Sequence, residues 1–449
     1  MKVKFPGEFV WGAASSAYQI EGYATADGGG ESIWDEFCRQ AGKVAYGDNG
    51  SVACDSYHRY MEDVELLDKL GVKAYRFSTS WARIDPKGDG NFNEAGIVYY
   101  EKLCDALLER GITPYMTLYH WELPQALEEK GGWLLVETVK AFERFAVMMA
   151  KRFKGRVKHY FTLNEPQCTV SLGYTQGIHA PGKELGLEEQ FTCWKHQLMA
   201  HGLAQRAILA ADSEAEVGLV STGRLCYPEK ECAEDIAAAR EMSFAVVEDD
   251  WQFTHHMLFD PAVLGRFPDC TGTSLEPFVK AVTAEEMEII HCPPHVIGLN
   301  VYNGHQVRAT DKGGEYVPKY PGFPRTALKW PITPEVLDWG VRFICERYGL
   351  PCYVAENGLS CNDIVYLDGK VHDADRIDFL SRYIGALSRA SEAGADVRGY
   401  FHWSILDNFE WHSGYAERFG LVYVDYRTLE RIPKDSYYWY KKLIETGEM

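Results

Sequence analysis

The chain has 449 residues, 46% hydrophobic and 13% aromatic, which argues against a disordered chain and leaves either several average domains or one large α/β barrel. Lys and Arg number 46 against 65 Asp and Glu, and the resulting net charge of −19 disfavours nucleic acid and anionic membrane surfaces as partners. Twelve scattered cysteines without a C-x-x-C pair point to reduced thiols inside a cell, and the N-terminal MKVKFPGEFVWGA, broken by Pro6 and Glu8, lacks an export core. The expectation is a soluble cytoplasmic protein, and a homo-oligomer is compatible with it.

In chain order, short β-prone apolar runs occupy residues 10–14, 74–78, 113–119, 160–164, 217–221, 296–300, 352–356 and 399–404. Helical periodicity falls between them, at 57–70, 99–110, 136–153 and 376–393. Strands alternating with helices imply parallel pairing through helical crossovers, and eight of them predict a closed (β/α)8 barrel, a TIM barrel. No linker, repeat or compositional break divides the chain, so 1–449 reads as a single catalytic domain with long βα loops at 20–56, 165–188, 222–250, 301–331 and 405–432.

Active sites of such barrels lie at the C-terminal strand ends. There the sequence places Gln19 after the first strand, Arg76 in the second, His120 and Trp121 after the third, and Asn164 and Glu165 at the fourth. Asn300 and Tyr302 follow at the sixth, Glu356 and Asn357 at the seventh, Trp403 at the eighth, with Glu410 and Trp411 beyond. Glu165 and Glu356, 191 positions apart, thus share one barrel mouth. A carboxyl pair suits acetal cleavage, in which one group protonates the leaving oxygen and the other attacks or activates water; a separation of about 5–5.5 Å would mean retention. The surrounding amides, imidazole and indoles suit a sugar's hydroxyls and its apolar C–H faces.

The same stretches have plainer readings. Asn164-Glu165-Pro166 is also a helix start, with Asn164 as cap and Pro166 in the first turn. Arg76 could serve as a structural partner of some carboxylate, and Trp121 and Trp403 could be core aromatics. The pairs His255/His256, His291/His295 and His196/His201 are poorly spaced for a shared ion, so neither a metal nor another cofactor is expected. Gly28 to Gly30 lack a following phosphate-loop lysine. His179-Ala180-Pro181-Gly182 is assigned to loop shape.

Several segments together resemble glycoside hydrolase family 1, the retaining β-glucosidases and their relatives: FVWGAASSAYQIEG (Phe9 to Gly22), YRFSTSW (Tyr75 to Trp81), TLNEP (Thr162 to Pro166), AENG (Ala355 to Gly358), WSILDNFEW (Trp403 to Trp411) and RFGLVYVD (Arg418 to Asp425). Their order and spacing span about 420 positions. The resemblance implies Glu165 as general acid/base and Glu356 as nucleophile, supported by Arg76, Asn300 and Tyr302. It also implies that Gln19, His120, Trp121, Asn164, Glu410 and Trp411 bind the glycone, that Trp403 floors it and that Trp330 flanks the leaving group. Ala355, Gln167 and Val301 depart from residues common in the family, which bears on the leaving-group wall. The implied activity is exo-hydrolysis of terminal β-D-glucosides such as cellobiose and aryl glucosides, extending to β-galactosides and β-fucosides. The alternatives are a 6-phospho-β-glycosidase of the same family and a noncatalytic sugar-binding barrel.

Overall fold

Parallel strands with helices on one side and a filled barrel on the other are buried on both faces, so their sequences read as nearly unbroken apolar runs. Ala74–Ser78, Val296–Asn300 and Cys352–Asn357 are buried at every position. The structure is a computed structural model describing residues 2–449, so Met1 of the expected domain lies outside the described residues.

The barrel strands are β1 (Val10–Ala14), β2 (Ala74–Ser78), β3 (Thr113–Tyr119), β4 (His159–Asn164), β5 (Glu216–Ser221), β6 (Val296–Asn300), β7 (Cys352–Asn357) and β8 (Val397–Trp403). Each pairs in parallel with the next, and β8 returns to β1 through Val10–Gly399 and Ala14–Trp403, closing the ring in chain order. The bounds match expectation within two residues. The helix expected at 99–110 instead runs Glu94–Leu108, because Asn93 turns the chain into it and Glu94 opens its acidic first turn.

Two apolar layers hold the fold. Tyr115, Phe161, Val220, Tyr353, Phe401 and Trp403 fill the barrel, while a larger core lies between strands and helices. In the helix Val136–Phe153, Val139, Phe142, Ala146, Met149 and Phe153 recur at helical spacing and face that outer core. Aromatic size inside the barrel demands glycine opposite: a Cβ on Gly12 would stand 2.4 Å from the Phe401 ring.

Three of the expected long loops carry β-strands of their own. The segment after β5 contains a short strand, Cys226–Pro228, and the helix Ala233–Ser243; the segment after β6 supplies His305–Thr310 and Gly313–Tyr316 to the same small sheet. After β8, Val422–Asp425 pairs with Glu430–Pro433. A buried ionic network ties this last segment down: Lys434 Nζ contacts Asp363 (2.5 Å) and Asp407 (2.7 Å), Arg376 contacts Asp363 (2.7 Å), and Arg418 contacts Asp407 (2.7 Å). No helix among the described residues is long and apolar enough to cross a membrane.

Candidate active site

The two strands bearing the paired carboxyls both lose regular register near their C-terminal ends. β7 slips against β6 between Val354 and Glu356, and β4 slips against β5 between Phe161 and Asn164. Such irregularities bend a strand and re-aim its side chains. Glu165 then adopts a left-handed backbone (φ 47°) as the N-cap of the short helix Pro166–Cys168, with Pro166 in the first turn. The turn reading of this stretch therefore holds with one correction: the cap is Glu165 rather than Asn164, since Asn164 completes the strand and spends its side chain on Arg76. At β7, a Cβ on Gly358 would lie 1.8 Å from Trp403 O, so only glycine lets the segment after Glu356 pass β8 so closely.

Glu356 is 4% exposed. Its Oε1 accepts from Arg76 Nη1 at 2.6 Å, and its Oε2 accepts from Tyr302 OH at 2.8 Å. Glu165, 5% exposed, has no cation in contact among the described residues: Oε1 accepts from Asn300 Nδ2 (2.6 Å) and Oε2 from Cys168 Sγ (2.9 Å). Burial and then the Glu356 charge push the Glu165 carboxyl up to about 7, against Cys168, Asn300 and Arg76. Burial also raises Glu356, but there Arg76, Tyr302 and Asn300 pull the other way, Arg76 through a direct ion pair. The pair shares its titration, and the charged partner assigns the anion to Glu356 and the proton to Glu165.

A second tier fixes these groups. Arg76 Nη2 donates to Asn164 Oδ1 (2.6 Å), which also receives Asn300 Nδ2 (3.1 Å), and Asn164 Nδ2 meets His120 Nε2 at 3.3 Å. Asn300, expected beside the nucleophile, thus gives its shortest hydrogen bond to Glu165 and lowers both carboxyls. Trp121 Nε1 donates to Asn164 O at 3.0 Å. Gln19 is fully buried and donates through Nε2 to Phe409 O (2.8 Å), Asn408 Oδ1 (3.0 Å) and Glu410 Oε2 (3.4 Å). Burial, with Glu356, Glu417 and Glu165 nearby, pushes the Glu410 carboxyl up to about 8. His120 is held well below its ordinary range by burial and Arg76, and is therefore a neutral imidazole.

These groups open onto one cavity of about 570 Å3. His120, Trp121, Glu165, Asn300, Tyr302, Trp330, Glu356, Trp403, Glu410 and Trp411 line it, whereas Gln19, Arg76 and Asn164 sit behind that lining. Trp121 and Trp411 rings lie 4.6 Å apart, and the His120 ring is nearly parallel to both Trp403 and Trp411 (interplanar angles 14° and 17°). The arrangement provides an aromatic floor, neutral hydrogen-bonding groups and a carboxyl pair set to opposite protonation states. Chemically it can protonate one oxygen of an acetal while a carboxylate attacks its carbon.

Sequence reasoning missed several lining residues. Cys168 follows Glu165 by one helical turn, a spacing that could have flagged it. Phe419, Leu172, Arg224, Asp250 and Phe253 come from loops whose approach no local pattern encodes. His179, assigned to loop shape, also lines the cavity, with Nε2 at 2.9 Å from His412 Nδ1. Gln167 points away, giving Nε2 to Ser221 Oγ at 2.7 Å. Among the described residues no group of three or more His, Cys, Asp or Glu is arranged to hold a metal ion. His196, His201 and His255 are instead engaged with Trp133 O (2.8 Å), Thr162 Oγ1 (2.7 Å) and Ser221 Oγ (2.9 Å).

The model of glycosyl hydrolase family 1 matches residues 1–449. Beta-glucosidase A of Thermotoga maritima is 41% identical over 447 residues, covering 99% of this chain and 98% of that protein. A bifunctional beta-D-glucosidase/beta-D-fucosidase of Bifidobacterium breve is 40% identical, covering 99% of each. A solved structure of the Thermotoga maritima beta-glucosidase in complex with glucoimidazole superposes with a TM-score of 0.89 at 41% identity, over 99% of this chain and 100% of that one. The chain belongs to glycosyl hydrolase family 1.

Proposed function

We propose, from membership in glycosyl hydrolase family 1, that the protein is a retaining, exo-acting β-glucosidase that releases terminal nonreducing β-D-glucosyl residues from cellobiose and from aryl or alkyl β-glucosides. β-Fucosides and β-galactosides fall within the same reading, the former supported by the relative named for both glucosidase and fucosidase activity. Residues 1–449 act as one catalytic domain, in the cytoplasm, without nucleic acid or a membrane as partner.

The unequal setting of the two carboxyls carries the reading. Glu356, ionised beside Arg76, attacks the anomeric carbon while Glu165 delivers its proton to the departing glycosidic oxygen. Esterification removes the Glu356 charge, which is second only to burial in raising Glu165. Glu165 becomes more acidic at the moment it must act as base, and it then takes a proton from the water that attacks the glycosyl ester. His120, Trp121, Glu410 and Trp411, with Gln19 and Asn164 behind them, hold the glycone over Trp403, and Trp330 flanks the leaving group.

The 6-phospho alternative is disfavoured by charge. Glu410 lines the cavity and feels Glu417, Glu356 and Glu165, so a phosphate there would meet carboxyls rather than cations. An aryl glucoside should therefore be preferred to its 6-phosphate. The deciding experiment changes Glu356 to Gly. Hydrolysis should be abolished, and azide should restore turnover with the α-glucosyl azide as product. Wild-type turnover in that variant would sink the assignment.

A further inference from the structure

The strands closing the ring place β8 and β1, which carry Glu410, Trp411 and Gln19 at their ends, opposite β4 to β6. Glu165 sits on the latter side, so a leaving group that receives its proton extends along the loops after β4, β5 and β6. Apolar side chains line that half of the cavity: Leu172, Ile178, Phe253, Leu328 and Trp330.

A guanidinium lines it too. Arg224 is anchored at its backbone, N donating to Phe253 O at 2.9 Å, and at one end of its fork, Nη2 donating to Ala245 O at 2.6 Å. Among the described residues its Nε is buried with no hydrogen-bond partner, as are those of Arg76 and Arg376. Among the described residues no carboxylate lies within ion-pairing distance of it, in contrast to the buried Arg76, Arg83 and Arg376. Burial raises the Asp250 carboxyl and the Arg224 charge lowers it, so the two feel each other without forming an ion pair; a guanidinium that no carboxylate contacts in this cavity keeps room for one from a ligand. Asp250 shares this stretch without pairing to Arg224, which favours a single negative charge over a dianion.

We propose that the leaving-group half of the site takes an aromatic aglycone bearing a carboxylate, with Arg224 as the specificity-determining residue that receives it. The guanidinium fork matches a carboxylate's two oxygens, and Trp330 and Phe253 offer faces and edges to an aryl ring. The inference rests on the β-glucosidase reading and names the substrate class of the same site.

The test compares 4-(carboxymethyl)phenyl β-D-glucoside with its primary amide. The methylene insulates the phenol, so leaving-group acidity is nearly equal and the ratio of kcat/KM values reports recognition. Wild type should prefer the carboxylate by roughly fivefold, as for a partly exposed charge-assisted pair. Arg224→Met should bring the ratio to one or below, and Arg224→Lys should keep part of it. A wild-type ratio of one or less, or a ratio unchanged in Arg224→Met, would overturn the inference while leaving the glucosidase reading intact. Should Arg224→Met fail to fold, the wild-type ratio and Arg224→Lys still decide. Failure of wild type to cleave either compound or phenyl β-D-glucoside would overturn the glucosidase reading itself.

Discussion

Replacing Tyr302 by Phe deletes one hydroxyl and keeps the ring that packs 5.2 Å from Trp330 and 6.1 Å from Phe419. The hydroxyl donates to Glu356 Oε2 at 2.8 Å, in a site where Glu356 is 4% exposed and little water can replace it. A hydrogen bond to a charged group contributes about 1.5–3 kcal/mol. At about 1.4 kcal/mol per unit, the pKa of Glu356 should rise by roughly 1–2 units, because the bond stabilises only the anion. The acidic limb of kcat/KM against pH, set by ionisation of Glu356 in the free enzyme, should move up by that amount. The alkaline limb, set by Glu165 near 7, should stay where it is, since the Glu356 charge that raises it is still present at that pH. The bell therefore narrows and its maximum falls. The measurement is a pH series with an aryl β-glucoside on wild type and Tyr302→Phe, with far-UV circular dichroism to exclude unfolding. An acidic limb that stays in place or moves down would refute the assignment of the anion to Glu356.

Cys168→Val removes the thiol that lowers the Glu165 carboxyl, so the alkaline limb should shift to higher pH, by less than one unit for so weak a donor, on the same pH series. Gly358→Ala puts a methyl where Trp403 O stands 1.8 Å away; the variant should lose at least ~2 kcal/mol by denaturant titration and most of its kcat. Lys434→Met removes the cation that Asp363 and Asp407 share, leaving each an arginine, Arg376 and Arg418, and should cost ~3 kcal/mol or more, read as a lower thermal midpoint at fixed scan rate. Glu410→Ala should depress kcat/KM for glucosides by about 100-fold or more, because a site built to bind hydroxyls loses both its acceptor and the partner of Gln19.

The barrel was legible because its strands are buried on both faces, so runs such as VIGLN at β6 stand out even in one sequence. The helix beginning at Glu94 was misplaced because Glu94-Ala95-Gly96 interrupts the apolar spacing that Tyr99 to Leu107 carries; a cap and an acidic first turn marked its start. For the site, strand ends predicted which side chains meet, since each strand's last residues point into one mouth. What stayed hidden were relations set by packing across loops. Asn300 turns its amide to Glu165, Gln167 folds away to Ser221, and Arg224 reaches the cavity from a long segment anchored at Ala245 and Phe253. Each depends on register slips or loop closure that no local periodicity encodes.

The order in which the ring closes has a consequence during synthesis. Glu165 and Glu356 leave the ribosome before β8, yet the barrel has no seam closed until β8 pairs with β1. Glu410 is positioned by Gln19 from the first loop, and its neighbour Asp407 is locked by Arg418 and Lys434, which follow it in the chain. A nascent or truncated chain can therefore carry both carboxyls of the proposed acid and nucleophile pair before the groups proposed to hold the sugar are in place. Turnover then reports that the segment after β8 has been made and docked, so cleavage of a chromogenic glucoside would serve as an assay of its docking.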